Sequence, residues 1–293
     1  MKRDFCKYIL ALVLFGSNGV VASRIALSSY EIVLLRTCIG SALLAALFLL
    51  RGGKFHFRQH KGEFAFLTAS GIAMGVSWMF LYEAYQRIGV SLSSLLYYCG
   101  PVIVMALSPL LFREKLTATK IVSFLVVAMG VVAVNGGVEG GIQDHWGLIC
   151  GAMSALMYAA MVICSKKAVH ITGMENSALQ LLVSFLTAAV FVGLRQGLSL
   201  AVPAGNWPWI LLLGLMNTGF GCYCYFSSIG SLPVQTVAIC GYLEPLSAVF
   251  FSVVMLHETM MPLQALGAAA VVGGAILGTL APHNKSRLSK KPF

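Results

Sequence analysis

One glutamate stands directly before a proline inside a long apolar run, at Glu244-Pro245. A carboxylate in such a place can bind an amine or carry a proton, because an ionisable group in hydrocarbon faces a cavity or a partner. Pro245 removes one helix hydrogen bond and leaves a carbonyl one turn back, near Gly241, in need of a donor. The residue before a proline is also pushed away from helical geometry. Arg36 is a second charge within an apolar run. Its guanidinium stays charged, so it can pair with a carboxylate, cap helix carbonyls, gate a passage or hold an anionic group. Trp78, Tyr82 and Tyr85 recur at i, i+4 and i+7 and so share one helix face. Tyr97 and Tyr98 precede Gly100-Pro101, and Tyr158, Tyr223 and Tyr242 lie in later apolar runs. Tyrosine hydroxyls in apolar surroundings need partners, and ring faces can hold a cation. Ser17, Asn18, Gln235 and Asn217-Thr218 add polar groups that orient a zwitterion or bridge helices.

Other polar residues have simpler readings. Glu83 and Arg87 stand at i, i+4 and suit a surface ion pair. Tyr85 suits an interfacial anchor. Glu114 and Glu258 follow apolar runs and precede further helices, where a carboxylate caps a helix N-terminus.

The elements that must position these residues follow from composition. The chain has 293 residues, 58% of them hydrophobic and 10% charged. A water-soluble domain carries about 25% charged residues, and the mean hydropathy is +0.86. These values exclude a cytosolic enzyme, a nucleic-acid-binding domain and a disordered chain, and require an integral membrane protein. The net charge of +10 does not signal nucleic acid, because the basic residues form short clusters between apolar runs and not one basic face. The eight cysteines sit in or beside apolar runs and read as small reduced side chains. None of the six histidines belongs to an HExxH pattern, and no GxxxxGK[ST] is present. No nucleotide, metal or other cofactor is implied, and no catalytic residue.

A helix needs about 20 apolar residues to cross a bilayer. Ten candidates run roughly over 7–23, 30–50, 63–84, 91–112, 117–135, 146–166, 175–195, 207–227, 232–256 and 260–281. With the N-terminus inside, cytoplasmic segments hold sixteen Lys and Arg and the opposite segments three, Arg24, Arg87 and Arg195. That bias places both termini in the cytoplasm.

The chain also matches itself at a constant offset. Tyr98 falls on Tyr242, Pro101 on Pro245, Glu114 on Glu258, Gly75 on Gly219, Gly130 on Gly274 and Glu31 on Glu175. Each copy holds five spans, an odd number, so the copies enter the membrane from opposite sides. The predicted fold is an all-α integral membrane protein of ten helices in two inverted five-helix repeats around a central cavity. The units are 1–137 and 145–282, with a basic cytoplasmic tail over 283–293. Inverted repeats belong to secondary transporters that work by alternating access. Gly100, Pro101, Gly241 and Pro245 supply kinks in the fourth and ninth spans. If those spans bend in the transport cycle, Pro101→Ala and Pro245→Ala proteins reach the membrane normally but transport poorly. Unimpaired flux in both would remove that role.

Several stretches resemble one family. The first span reads Phe15-Gly16-Ser17-Asn18-Gly19-Val20-Val21-Ala22-Ser23-Arg24, the second holds Leu34-Leu35-Arg36, and Pro101…Glu114 is echoed by Tyr242-Leu243-Glu244-Pro245…Glu258. In this order they resemble the ten-span EamA-domain branch of the drug/metabolite transporter superfamily. Phe15 stands where that family often has Trp. The resemblance implies a cavity lined by the first, third, fourth, sixth, eighth and ninth spans, in a bacterial plasma (inner) membrane. The substrate would be a small organic metabolite, amino-acid-like and exported, with efflux of aromatic cations as the alternative. Four-span drug exporters of the superfamily use a first-span Glu, which this first span lacks. The partners are then the lipid bilayer and a small-molecule substrate. Proton coupling through Glu244 and uniport both remain open, and a monomer suffices because one chain holds both copies.

Overall fold

The computed structural model describes residues 2–53, 55–88, 93, 96–112, 117–135, 144–197, 200–256 and 262–280. Glu114, Glu258 and the tail 283–293 lie outside the described residues, as do the side chains of Tyr85 and Pro245. Among the described residues every regular element is helical. In chain order they are α1 (Lys2–Gly16), α2 (Asn18–Ala22), α3 (Ser29–Leu50), α4 (Lys61–Ile88), α5 (Cys99–Phe112), α6 (Ala118–Asn135), α7 (His145–Lys167) and α8 (Gly173–Gln196). There follow α9 (Trp207–Leu211), a π-helical segment (Leu212–Phe220), α10 (Gly221–Ile229), α11 (Val234–Gly241), α12 (Leu243–Leu256) and α13 (Pro262–Leu280).

Six helical stretches among the described residues are long and apolar enough to cross a membrane. They are Lys2–Ala22, Tyr30–Leu50, Lys61–Ala84, His145–Lys167, Gly173–Arg195 and Ala204–Ile229, with shorter apolar helices at Cys99–Phe112 and Ala118–Gly130. The described residues are those of a helical, multi-pass membrane protein.

Local chemistry sets several ends. Ser28 and Glu31 form a reciprocal capping box at α3. Ser28 Oγ accepts from the Glu31 N–H, and Glu31 Oε2 accepts from the Ser28 N–H at 2.8 Å. Asp144 caps α7 by accepting from the Gly147 N–H at 3.0 Å. That bond, with the Arg87 guanidinium beside it, holds the Asp144 carboxyl below the usual carboxylate range. α8 stops at Gly197, whose φ of +79° is a left-handed conformation that suits glycine.

The structure interrupts four of the runs that the sequence presents as continuous. α1 gives way to α2 at Ser17, whose hydroxyl turns back to donate to the Leu14 carbonyl at 2.7 Å. The ninth run is divided at Tyr242 into α11 and α12. The break lies one turn before Pro245, where the missing N–H interrupts the helix ladder. The eighth run carries the π segment, in which Thr218 Oγ1 donates to the Leu213 carbonyl at 2.8 Å. In the fourth run, the turn at Tyr98 precedes α5.

Elements of the second half recur at the spacing that separates Tyr98 from Tyr242, 144 residues. α3 matches α8, α5 matches α12 and α6 matches α13. The packing follows the same rule: α3 lies on α8 and α6 on α13, while α1 lies on α10 and α4 on α7. Tyr242 donates its hydroxyl to the Tyr98 carbonyl at 2.9 Å, joining equivalent positions.

Small residues and buried amides let these helices approach. Ser77 Oγ donates to the Ser154 carbonyl at 2.8 Å, tying α4 to α7. Gln180 of α8 donates to Ser165 Oγ at 3.0 Å and accepts from Ser70 of α4. Gly16 makes the contact that matters most for the site. A Cβ there would lie 2.8 Å from both the Glu244 carbonyl oxygen and the Ala248 nitrogen. These are backbone atoms and cannot swing aside, so Gly16→Ala must push α1 away from α12. Overpacking of this kind costs about 1–3 kcal/mol. The expected outcome is a lower unfolding temperature in detergent together with weakened transport. An unchanged melting curve would contradict the close approach.

Candidate functional site

A small, partly open cavity lies among the helices. Phe15 of α1, Asn18 of α2 and Arg36 of α3 line it from one side. Met74 and Trp78 of α4, Tyr97, and Tyr158 and Met161 of α7 line it from another. Cys222, Tyr225 and Phe226 of α10 and Glu244 of α12 complete it.

Two opposite charges therefore share one chamber. Arg36 is 3% exposed. Its Nε donates to Thr218 Oγ1 at 2.9 Å, and Nη1 donates to the Tyr82 hydroxyl at 3.4 Å. Its guanidinium carbon lies 4.7 Å from the centre of the Trp78 ring. These neutral partners orient the planar fork without neutralising it. Glu244 is half-buried in the first turn of α12. Among the described residues, neither charge belongs to an ion pair. Apart from Asn18 and Cys222, the rest of the wall is aromatic or thioether. Tyr225 packs on Phe15 and Tyr8 with ring centres 5.9 and 5.4 Å apart. Tyr97 meets Tyr158 edge-on at 5.3 Å, and the Tyr158 and Tyr225 hydroxyls lie 3.4 Å apart. Such a wall suits an apolar side chain or a ring between two polar ends.

The π segment ties the charged end together. Thr218 holds Arg36, and the preceding residue Asn217 holds the break at Ser17. The Asn217 amide nitrogen lies 3.0 Å from the Leu14 carbonyl, 2.8 Å from Ser17 Oγ and 3.0 Å from Asn18 Oδ1. π turns mark functional positions in many helices. Here the turn presents neighbouring side chains to two different helices.

Of the residues singled out from sequence, Asn18, Arg36, Trp78, Tyr97, Tyr158 and Glu244 meet at this cavity. Tyr82 stands behind it as a partner of Arg36. Ser17 lies at the α1 break and accepts from Asn217. Tyr242 is 1% exposed and bonded to the Tyr98 carbonyl, so these two residues join α5 to α12 beside the chamber. Gly100 lies against the Tyr158 ring, where a Cβ would meet Cδ1 at 2.6 Å. Pro101 is buried beside Gly241. Gln235 is buried in another network. Its Oε1 accepts from Lys120 Nζ at 2.6 Å and its amide donates to Ser108 Oγ at 3.2 Å. Tyr223 faces Lys7, whose Nζ is 5.3 Å from the ring centre.

Sequence reasoning did not single out Phe15, Met74, Met161, Cys222, Tyr225 and Phe226 as site residues. In α10 the π segment precedes these residues. Its wider turn re-phases the residues that follow, so Tyr225 and not Tyr223 points into the chamber. Regular helical periodicity cannot foresee that change. Arg36 also adds the second span to the six that the resemblance implies.

The pattern of the EamA-like transporter family matches the sequence twice, over residues 5–136 and 145–280. The chain belongs to the EamA-like transporter family. Uncharacterized transporters of other organisms align along nearly its whole length. An uncharacterized transporter YxxF of Bacillus subtilis is 24% identical over 97% of this chain and 91% of its own. An uncharacterized transporter of Archaeoglobus fulgidus is 26% identical over 94% of this chain and 96% of its own. A crystal structure of a protein superposes with a TM-score of 0.82 at 19% identity, covering 95% of this chain and 99% of its own, and shares the fold. As an EamA family member the chain is a membrane transporter and not an enzyme.

Proposed function

We propose that this transporter carries a small zwitterionic metabolite of amino-acid type by alternating access, and that it exports it. The observation that carries the reading is the shared chamber of Arg36 and Glu244. Arg36 binds the substrate carboxylate through its planar fork, Glu244 binds the ammonium, and the Trp78, Phe15 and Tyr225 rings enclose the side chain. A purely cationic aromatic substrate would meet the Arg36 charge unpaired, which counts against drug efflux. Ten spans in two inverted five-span halves, 1–137 and 145–282, supply the two facing states. The recurrence of element ends and packing partners between the halves supports that arrangement. Export rests on the resemblance to relatives that move metabolites outward.

We place both termini in the cytoplasm. Trp146, Trp207 and Trp209, exposed at the starts of α7 and α9, then form a belt on the outer face. Lys166 and Lys167 lie at the opposite end of α7. A counterflow screen with purified protein in proteoliposomes tests the reading. Amino acids, nucleosides, vitamins and cationic dyes are offered in turn. Exchange of a zwitterion that fails when its carboxylate is amidated supports the reading. Exchange of dyes alone overturns it.

A further inference from the structure

Away from the cavity, three metal-ligating side chains meet where the α3–α4 loop touches the α7–α8 loop. His60 and Glu63 lie three residues apart at the start of α4, and His170 lies between α7 and α8. One ligand atom from each residue falls within 4.8 Å of the others. Glu63 Oε1 is 2.5 Å from His170 Nδ1, and Glu63 Oε2 accepts from the His170 backbone N–H at 2.7 Å. The His60 and His170 rings stack at 4.4 Å. A second contact ties the α3–α4 loop to the first turn of α8. There His56 Nδ1 is 2.9 Å from Glu175 Oε2, and the Phe57 N–H donates to Glu175 Oε1 at 2.9 Å.

We propose that His60, Glu63 and His170 form a binding site for a divalent metal ion of the zinc class. Two imidazoles and one carboxylate suit a borderline ion and not calcium or magnesium, which take oxygen ligands. Three protein ligands leave a coordination position for water. The stacked pair is the metal-free arrangement. A bound ion lies in the plane of each imidazole, and two stacked parallel planes share no such point. The His170 side chain is 62% exposed, so its ring can turn about the Cβ–Cγ bond and open the stack. The ion then takes the place of the proton between Glu63 and His170 Nδ1, and the imidazole coordinates as the neutral tautomer with its proton on Nε2. Because the ligands come from both halves of the chain, the ion ties the two loops together and opposes any motion that parts them.

The test is titration of detergent-purified full-length protein with Zn²⁺, and with Co²⁺ as a chromophoric stand-in. One ion per chain is expected, with visible Co²⁺ bands of imidazole coordination. His60→Ala and His170→Ala each weaken binding about tenfold or more, since losing a direct ligand costs at least as much as losing an outer-shell partner. His56→Ala, outside the set, leaves binding unchanged. All variants are compared for metal-free melting temperature, so a folding defect is read separately. Absence of a Co²⁺ spectrum, or binding that survives both His60→Ala and His170→Ala, overturns the site. Loss that is equal in His56→Ala also overturns it, because it would trace binding to loop integrity. Binding is read without a transport substrate, so failure of the zwitterion reading does not affect it.

Discussion

Glu244→Gln leaves the protein inserted and folded but removes most of its transport. The change keeps the shape and one hydrogen-bonding oxygen and deletes the charge. Glu244 forms no ion pair among the described residues, so its loss breaks no direct salt bridge, although Arg36 loses the opposite charge that shares its chamber. Stability therefore changes little, because relief from burying a carboxylate offsets that loss. Binding of a substrate ammonium loses a charge-assisted bond of about 2 kcal/mol. That corresponds to an increase of about thirtyfold in apparent Kd. Counterflow at subsaturating substrate measures it against the melting temperature of the same preparation. Wild-type flux and affinity in Glu244→Gln would remove Glu244 from the site. A fall in melting temperature equal to the loss of flux would make it structural.

Arg36→Lys has a comparable effect for a different reason. Lysine keeps the charge and loses the geometry. The guanidinium uses Nε on Thr218, Nη1 on Tyr82 and its flat face on Trp78. An ammonium on a flexible stem cannot make all three contacts at once. The fork that would take a carboxylate is thus lost while the chamber keeps its electrostatic balance. We expect flux to fall about tenfold or more, by the 1.5–3 kcal/mol of a hydrogen bond to a charged group. Thr218→Val separates orientation from charge, because it removes the Nε partner and leaves Arg36 in place. A partial loss in Thr218→Val and a larger one in Arg36→Lys is the expected order, read as substrate affinity by competition. Full activity in Arg36→Lys would show that charge alone suffices, and the bidentate role would be abandoned.

The parts of this architecture that depend on apolar length and repeat spacing were legible in the sequence. Hydropathy places α3, α4, α7 and α8 within a few residues of their observed ends, and the Pro101/Pro245 match anticipates the shared ends of α5 and α12. Arg36 and Glu244 were legible as scarce charges in hydrocarbon. What sequence could not supply is the phase of interrupted helices. Nothing in Leu212–Phe220 announces a π turn, and the sequence singles out Tyr223 in that run while Tyr225 lines the cavity. The meeting of His60, Glu63 and His170 is likewise invisible to spacing rules, because its third member arrives from the other half of the chain.

The bond between Tyr242 and Tyr98 has one more consequence. It joins two equivalent positions, yet it runs one way, from the Tyr242 hydroxyl to the Tyr98 carbonyl. Were the two copies identical, either tyrosine could be the donor, and the two arrangements would have equal energy. A directional bond between equivalent places breaks that degeneracy. One copy gives and the other receives, so the molecule has a resting sense even though its blueprint was written twice.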